Sequence, residues 1–158
     1  MDIFNNTVPV QLLAAQSIND TDTVSSILDT QGFDGSAIYV AMGNLTGVDA
    51  DSTLALNLQE SADTVGSNFT AVAVLDMIRD TTGLDSTSTA GRFGFLNATD
   101  EDVKVFKVEY KGTERYIRVQ LDFTTGTGGI TAAPVCVLGI LASARHAPAS
   151  APAAITAS

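Results

Sequence analysis

Very few side chains in this sequence belong to types that act as bases or nucleophiles near neutral pH: one histidine, His146, and one cysteine, Cys136. His146 stands in Ala-Arg-His-Ala-Pro, among small residues that offer no packing to hold an imidazole in one orientation. General-base work needs that hold, so His146 reads as a surface or interface residue. Cys136 stands in Val-Cys-Val-Leu, where a thiol behaves as a small hydrophobe. A cysteine nucleophile needs exposure and a basic neighbour, and this run offers neither. A zinc site needs more ligands than one Cys and one His. A lone cysteine also excludes an intrachain disulfide.

Acidic residues are the plentiful chemical resource. Asp20 and Asp22, Asp49 and Asp51, and the run Asp100-Glu101-Asp102 all place carboxylates on loops. None has the spacing of an EF-hand, so the plain reading is solvated acidic turns and the sharper one is a calcium loop. A carboxylate pair for glycoside hydrolysis is not excluded by residue type. Most of the acids nevertheless lie in Thr/Asp turns, and no Trp is present to stack a sugar. Gly126, Gly128 and Gly129 have the density of a phosphate cradle, but no Lys-Ser/Thr follows and the next element is an apolar strand rather than a helix. Neither a P-loop nor a dinucleotide loop fits that context, which leaves a hairpin loop. The expectation is no enzyme and no cofactor or metal. Arg115 and Arg118 flank Tyr116 on an exposed strand face. They read either as charge partners of Glu109 or Asp122 or as an interface anchor, since Tyr and Arg concentrate at binding hot spots.

The elements that would position these residues are strands. At 158 residues and 45% hydrophobic content, the chain suits one domain with a sizeable core. Its formal net charge of -10 argues against nucleic acid, whose phosphates need clustered Lys and Arg, and against anionic membrane surfaces. It fits a face that must stay soluble or dock on a basic partner. The longest apolar run, Ile130 to Ala142, is too short to span a bilayer, and the start, MDIFNNTVPV, lacks the features of a signal peptide. Five Asn-x-Ser/Thr triplets, beginning at Asn5, Asn19, Asn44, Asn68 and Asn97, are read as composition rather than glycosylation sites.

Residues 1–8 read as an extended arm, 9–146 as a single domain and 147–158 as a Pro/Ala-rich tail. Strands are expected over Val10–Ile18, Val24–Leu28, Ser36–Met42, Leu54–Leu58 and Phe69–Val74, with a short one at Phe93–Leu96. Asn19–Asp22 and Gly32–Gly35 are turns. Leu75–Arg79 reads as a helical turn and Thr81–Gly91 as a long loop. The clearest pattern is a hairpin. Phe106, Val108 and Tyr110 alternate with Lys107 and Glu109, and after Lys111-Gly112-Thr113 the residues Ile117, Val119, Leu121 and Phe123 alternate with polar ones. Ile130–Leu141 reads as a central strand covered on both faces, with a bulge or edge forced by Pro134. Eight or nine short strands at this spacing predict an all-β antiparallel sandwich, jelly-roll-like, although strand count alone does not separate a jelly roll from an immunoglobulin-like sandwich.

Three stretches carry a family resemblance. They are Tyr110-Lys-Gly-Thr-Glu-Arg-Tyr-Ile-Arg-Val, then Thr-Thr-Gly-Thr-Gly-Gly, then an apolar strand ending in Ala-Arg-His-Ala-Pro. Upstream, Leu-Gln-Glu-Ser-Ala-Asp followed by Asn-Phe-Thr-Ala-Val adds to it, and the whole covers Ser36 to Pro148. The chain resembles the capsid cement or decoration proteins of tailed bacteriophages. The resemblance implies a virion protein on the outer capsid surface, a homotrimer whose partner is the major capsid protein. In that picture an apolar face joins the subunits. The arm, with Ile3, Phe4, Asn5 and Asn6, and the long loop, with Leu84 and the adjoining Arg92, would reach neighbours, as would Arg115, Tyr116 and Arg118. Related wording occurs in carbohydrate-binding sandwich modules, which would need an aromatic platform around Tyr39, Tyr110 or Tyr116.

Overall fold

The computed structural model describes residues 6–79, 89–98 and 103–144. Eleven strands follow one another: β1 (Thr7–Ile18), β2 (Thr23–Val24), β3 (Leu28–Asp29), β4 (Phe33–Met42), β5 (Thr53–Ser61), β6 (Thr70–Ala71), β7 (Met77–Arg79), β8 (Arg92–Leu96), β9 (Val105–Tyr110), β10 (Tyr116–Thr124) and β11 (Ala133–Ala144). They form two antiparallel sheets packed as a sandwich. One has the order β1-β11-β4-β9-β7 and is called here the β11 sheet. The other, the β10 sheet, has the order β2-β10-β5-β6, with β3 also on β10 and β8 also on β5.

The chain crosses between the sheets at nearly every step. β1, β4, β9 and β11 lie in one sheet, and β2/β3, β5, β8 and β10 in the other. That winding makes two Greek keys, the topology of a jelly roll. It settles what strand count could not.

Period-two patterning fixes which residues enter the core. In β4, Ile38, Val40 and Met42 point inward and are buried. Val108 of β9 and Val135, Val137 and Leu141 of β11 share their side. Facing them are Leu54, Leu56 and Leu58 of β5, Ile117, Val119 and Leu121 of β10, and Phe93 and Leu96 of β8.

Several expectations change. The predicted hairpin does not exist, because β9 pairs with β4 and β7 while β10 pairs with β5, β2 and β3. The connection between β9 and β10 is a crossover between the sheets. Tyr110 pins it: its hydroxyl donates to Glu60 Oε2 at 2.5 Å and accepts from the Glu114 N–H at 2.9 Å. Burial and the Glu60 carboxylate both push the Tyr110 hydroxyl well above its ordinary pKa, so it remains a donor.

β11 starts at Ala133 and lies inside its sheet, between β1 and β4. Pro134 pairs with Ser17 without a bulge, and the register irregularities fall in β1, around Leu13. Proline is tolerated there because it is next to the strand start, where few ladder bonds are lost. Only one face of β11 is covered, since Leu138 is 41% exposed.

Smaller differences follow the same logic. Thr7 and Val8, placed in the arm from sequence, belong to β1, where Thr7 pairs with Ala142 and Val8 is buried. The Gln31–Gly32 turn, with Gly32 at φ +88, is tight enough that β4 already begins at Phe33. Val24–Leu28 splits into β2 and β3. Between them Ser25 donates its N–H to the Val119 carbonyl at 2.8 Å and accepts the Val119 N–H on its hydroxyl at 3.0 Å. Only Thr70–Ala71 of the predicted Phe69–Val74 strand pairs with a neighbour, on β5. Val74–Asp76 forms a 3-10 turn ahead of β7. Residues 1–5, 80–88, the acidic run 99–102, His146 and the 147–158 tail lie outside the described residues.

Candidate interaction surface

The outer face of the β10 sheet is a polar ladder closed on itself. Its outward positions pair Asn57 with Gln120 and Gln59 with Arg118 across β5 and β10. Asn57 Nδ2 donates to Asp122 at 3.3 Å, Gln59 Nε2 to Gln120 Oε1 at 2.7 Å, and Arg118 Nε to Gln59 Oε1 at 2.8 Å. Arg118 also donates to the Gly66 carbonyl at 3.0 Å and lies over the Phe69 ring, 4.2 Å from its centroid. Only 8% of Arg118 remains exposed.

Arg115 makes a two-pronged contact with Asp29, at 2.9 and 2.6 Å, and stacks over Tyr116. Burial pushes the Asp29 carboxyl up, but hydrogen bonds from Arg115 and the Gln31 N–H outweigh it and hold the carboxyl below the usual range. These two arginines therefore find Asp29, Gln59 and Gly66, and not the Glu109 or Asp122 expected from sequence. Arg92 sits on β8 opposite Asn57, with its guanidinium over Phe95. Asn6 precedes β1 and is half-buried. Ile3, Phe4, Asn5 and Leu84 are outside the described residues. The structure thus gathers Arg92, Arg115, Tyr116 and Arg118 onto the β10 sheet and leaves Asn6 on the other.

The acidic turns act as loop staples. Asp20 accepts the Ile130 N–H at 2.7 Å, Asp22 accepts that of Phe123 at 2.8 Å, and Asp49 accepts those of Asp51 and Ser52 at 2.9 and 2.6 Å. The Ser52 and Asp51 N–H groups hold the Asp49 carboxyl below the ordinary value. Among the described residues no three acids, histidines or cysteines converge on one point. The glycine loop serves packing. Gly47, at φ +89, lies so close to the Gly129 carbonyl that a Cβ there would overlap it, and the Gly126 N–H donates to Ser52 Oγ at 3.2 Å. The three tyrosines point apart: Tyr39 outward on β4, Tyr110 inward, and Tyr116 under Arg115 on the opposite sheet.

The outer face of the β11 sheet has the opposite character. Cross-strand rows run Pro9–Ile140–Ala37–Glu109–Ile78, then Gln11–Leu138–Tyr39–Lys107, then Cys136–Ala41–Val105. Ile78 is 46% and Val105 66% exposed. The charged residues in these rows are Lys107 and Glu109, which pair with each other at 2.5 Å. A shallow depression of about 390 Å³ has Tyr39, Tyr110 and Ile140 in its lining together with the charged Asp34, Lys107, Glu109 and Lys111. The sequence carries the signal for this surface: Cys136, Leu138 and Ile140 leave β11 without a polar alternate position. That run reads as covered on both faces, and the chain's own core covers one.

No protein-family model matches the chain, and no curated protein matches it. Solved structures give distant similarities. The SPBc2 prophage-derived protein YomS is 11% identical, with a TM-score of 0.49 over 87% of this chain and 94% of that one. The infectious bursal disease virus VP2 subviral particle is 12% identical, with a TM-score of 0.24 over 88% of this chain and 30% of that chain. The structure of the same virus's Gx strain is 12% identical, with a TM-score of 0.27 over 89% of this chain and 37% of that chain. At these identities and TM-scores the likenesses carry no argument about function.

Proposed function

We propose that this chain is a virion structural protein and, more narrowly, a capsid cement or decoration protein of a tailed phage. It binds the major capsid protein lattice from outside and stabilises the head, without catalysis. The observation that carries this reading is a jelly roll whose β11 sheet leaves an apolar outer face open for assembly. A soluble domain with a net charge of -10 gains nothing from such a face when alone, and exposed apolar patches of this kind mark interaction sites. The family resemblance over Ser36 to Pro148 supports the same reading. A carbohydrate-binding module would need an exposed aromatic platform, and the inward Tyr110 hydroxyl and the Arg115 guanidinium over Tyr116 favour the cement reading instead.

The test is co-sedimentation of the purified protein with expanded heads that lack it. Saturable, stoichiometric occupancy and a raised thermal midpoint of the heads are expected. Heads that sediment free of the protein at saturating concentrations would overturn the reading.

A further inference from the structure

We propose that the outer face of the β11 sheet is a self-association surface, covered by the same face of a second copy across a two-fold axis. The inference goes beyond the virion reading: it gives this face to a second copy, which leaves contact with a capsid to the other surfaces of the pair.

Charge selects the occupant. Two copies that each carry -10 repel on most approaches. On this face the rows hold one cation and one anion, Lys107 and Glu109, so the contact itself adds no unbalanced charge to that repulsion. A dyad also lets each Lys107 reach the partner's Glu109, the reciprocal arrangement of an isologous contact.

Size agrees. Five strands about 4.8 Å apart and roughly seven residues deep at about 3.3 Å per residue make a patch of roughly 20 by 23 Å. That is about 460 Å² on each copy, the size of a weak, concentration-dependent contact and not of an obligate one. Leu138, flanked in its row by Gln11 and Tyr39, lies near the middle of the patch, where binding energy concentrates.

Shape selects the symmetry. A patch that meets the same patch of a second copy closes as a two-fold pair, whereas a three-fold ring joins two different patches of each subunit. The geometry therefore points to a pair in place of the homotrimer that the family resemblance implies.

Sedimentation equilibrium of the full chain, up to about 100 µM, tests this. The expected mass is twice the 16.4 kDa of one chain. Leu138→Asp and Leu138→Lys should each weaken the pair at least about tenfold, because lost apolar burial does not depend on the sign of the new charge. Thr124→Asp, on the exposed end of the opposite sheet, should leave it unchanged. Circular dichroism checks that each variant is folded, which the exposure of Leu138 favours. A monomer throughout, a trimer, or a pair indifferent to both Leu138 variants would overturn the proposal. Since no capsid is present, this outcome is independent of the co-sedimentation result.

Discussion

On the outer side of the β10 sheet, Asn57, Gln59, Arg118, Gln120 and Asp122 satisfy one another through hydrogen bonds between side chains. On the outer side of the β11 sheet stand Ala37, Ala41, Cys136, Leu138 and Ile140. Both sheets bury similar inner faces of Leu, Ile and Val. The contrast assigns them different work. A polar face completed within one chain stabilises that chain and asks for no partner. An apolar face left open gives the isolated chain nothing, and its value lies in what covers it.

The largest effect should come from removing what the faces share. Leu56 is fully buried between the sheets. Leu56→Ala should lower unfolding stability by about 2–5 kcal/mol, from lost transfer energy and the cavity left behind. Urea unfolding followed by fluorescence or circular dichroism would measure it. A loss below about 1 kcal/mol would mean that the two sheets are not packed through this residue.

Next come the polar groups peculiar to the β10 sheet and its crossover. Arg118→Ala strips partners from Gln59 Oε1 and the Gly66 carbonyl and removes the cation over Phe69. About 2 kcal/mol should be lost. Tyr110→Phe removes the bond to the Glu60 carboxylate and the acceptor of the Glu114 N–H. About 1–2 kcal/mol should follow. In both variants the stability of the single chain falls while self-association stays as in the wild type. If either variant weakened association as much as Leu138→Asp does, the separation of roles between the faces would fail.

The sequence made the sandwich legible and hid its wiring, for one physical reason. Period-two alternation, as in Leu54, Leu56 and Leu58 or in Phe106, Val108 and Tyr110, says which side of a strand faces the core. It says nothing about the neighbouring strand. So β9 and β10, consecutive and both alternating, read as a hairpin although they lie in different sheets. Nothing local in Lys111-Gly112-Thr113 announced a crossover, because the bond that fixes it runs from Tyr110 to the distant Glu60. The turn at Asn19–Asp22 was readable from its residue types, but its bonds were not, because the Asp20 and Asp22 carboxylates accept the N–H groups of the distant Ile130 and Phe123 and not those of their own backbone. Arg115 and Arg118 were readable as outer-face residues, but Arg118 is buried there by Gln59, Gly66 and Phe69, partners set by register with distant strands. The apolar face of β11 lay in plain view as a run without polar alternates. Composition does not distinguish a strand covered by its own chain from one that waits for another.

Smaller still is the effect of the open face on the single chain. Leu138→Thr should change the stability of the dilute monomer by no more than about 0.5 kcal/mol, the usual range for a surface substitution. Urea unfolding below the association range would check it. A loss of several kcal/mol would show that Leu138 supports the fold itself and would break the contrast from the other side.

The finest test uses pH, because the β10 sheet is joined to β3 by a titrating contact. Arg115 and the Gln31 N–H hold the Asp29 carboxyl below its ordinary value against the opposing effect of burial. Its folded pKa is thus lower than its unfolded value of about 3.9. The folded state then binds that proton less readily than the unfolded state. The stabilisation is fully present above the unfolded pKa and is lost as pH falls through the folded one. Asp29→Asn has no such proton to bind. Its deficit relative to wild type should be constant from about pH 7 to pH 5 and shrink steadily below about pH 4. Leu138→Thr removes no titrating group, so its small difference from wild type should not vary across that window. Urea unfolding at a series of pH values reads both. An Asp29→Asn deficit that persisted unchanged to pH 2 would mean that the Arg115 contact contributes no linked protonation, and the polar face would then owe its order to the Gln59, Gln120 and Arg118 ladder alone.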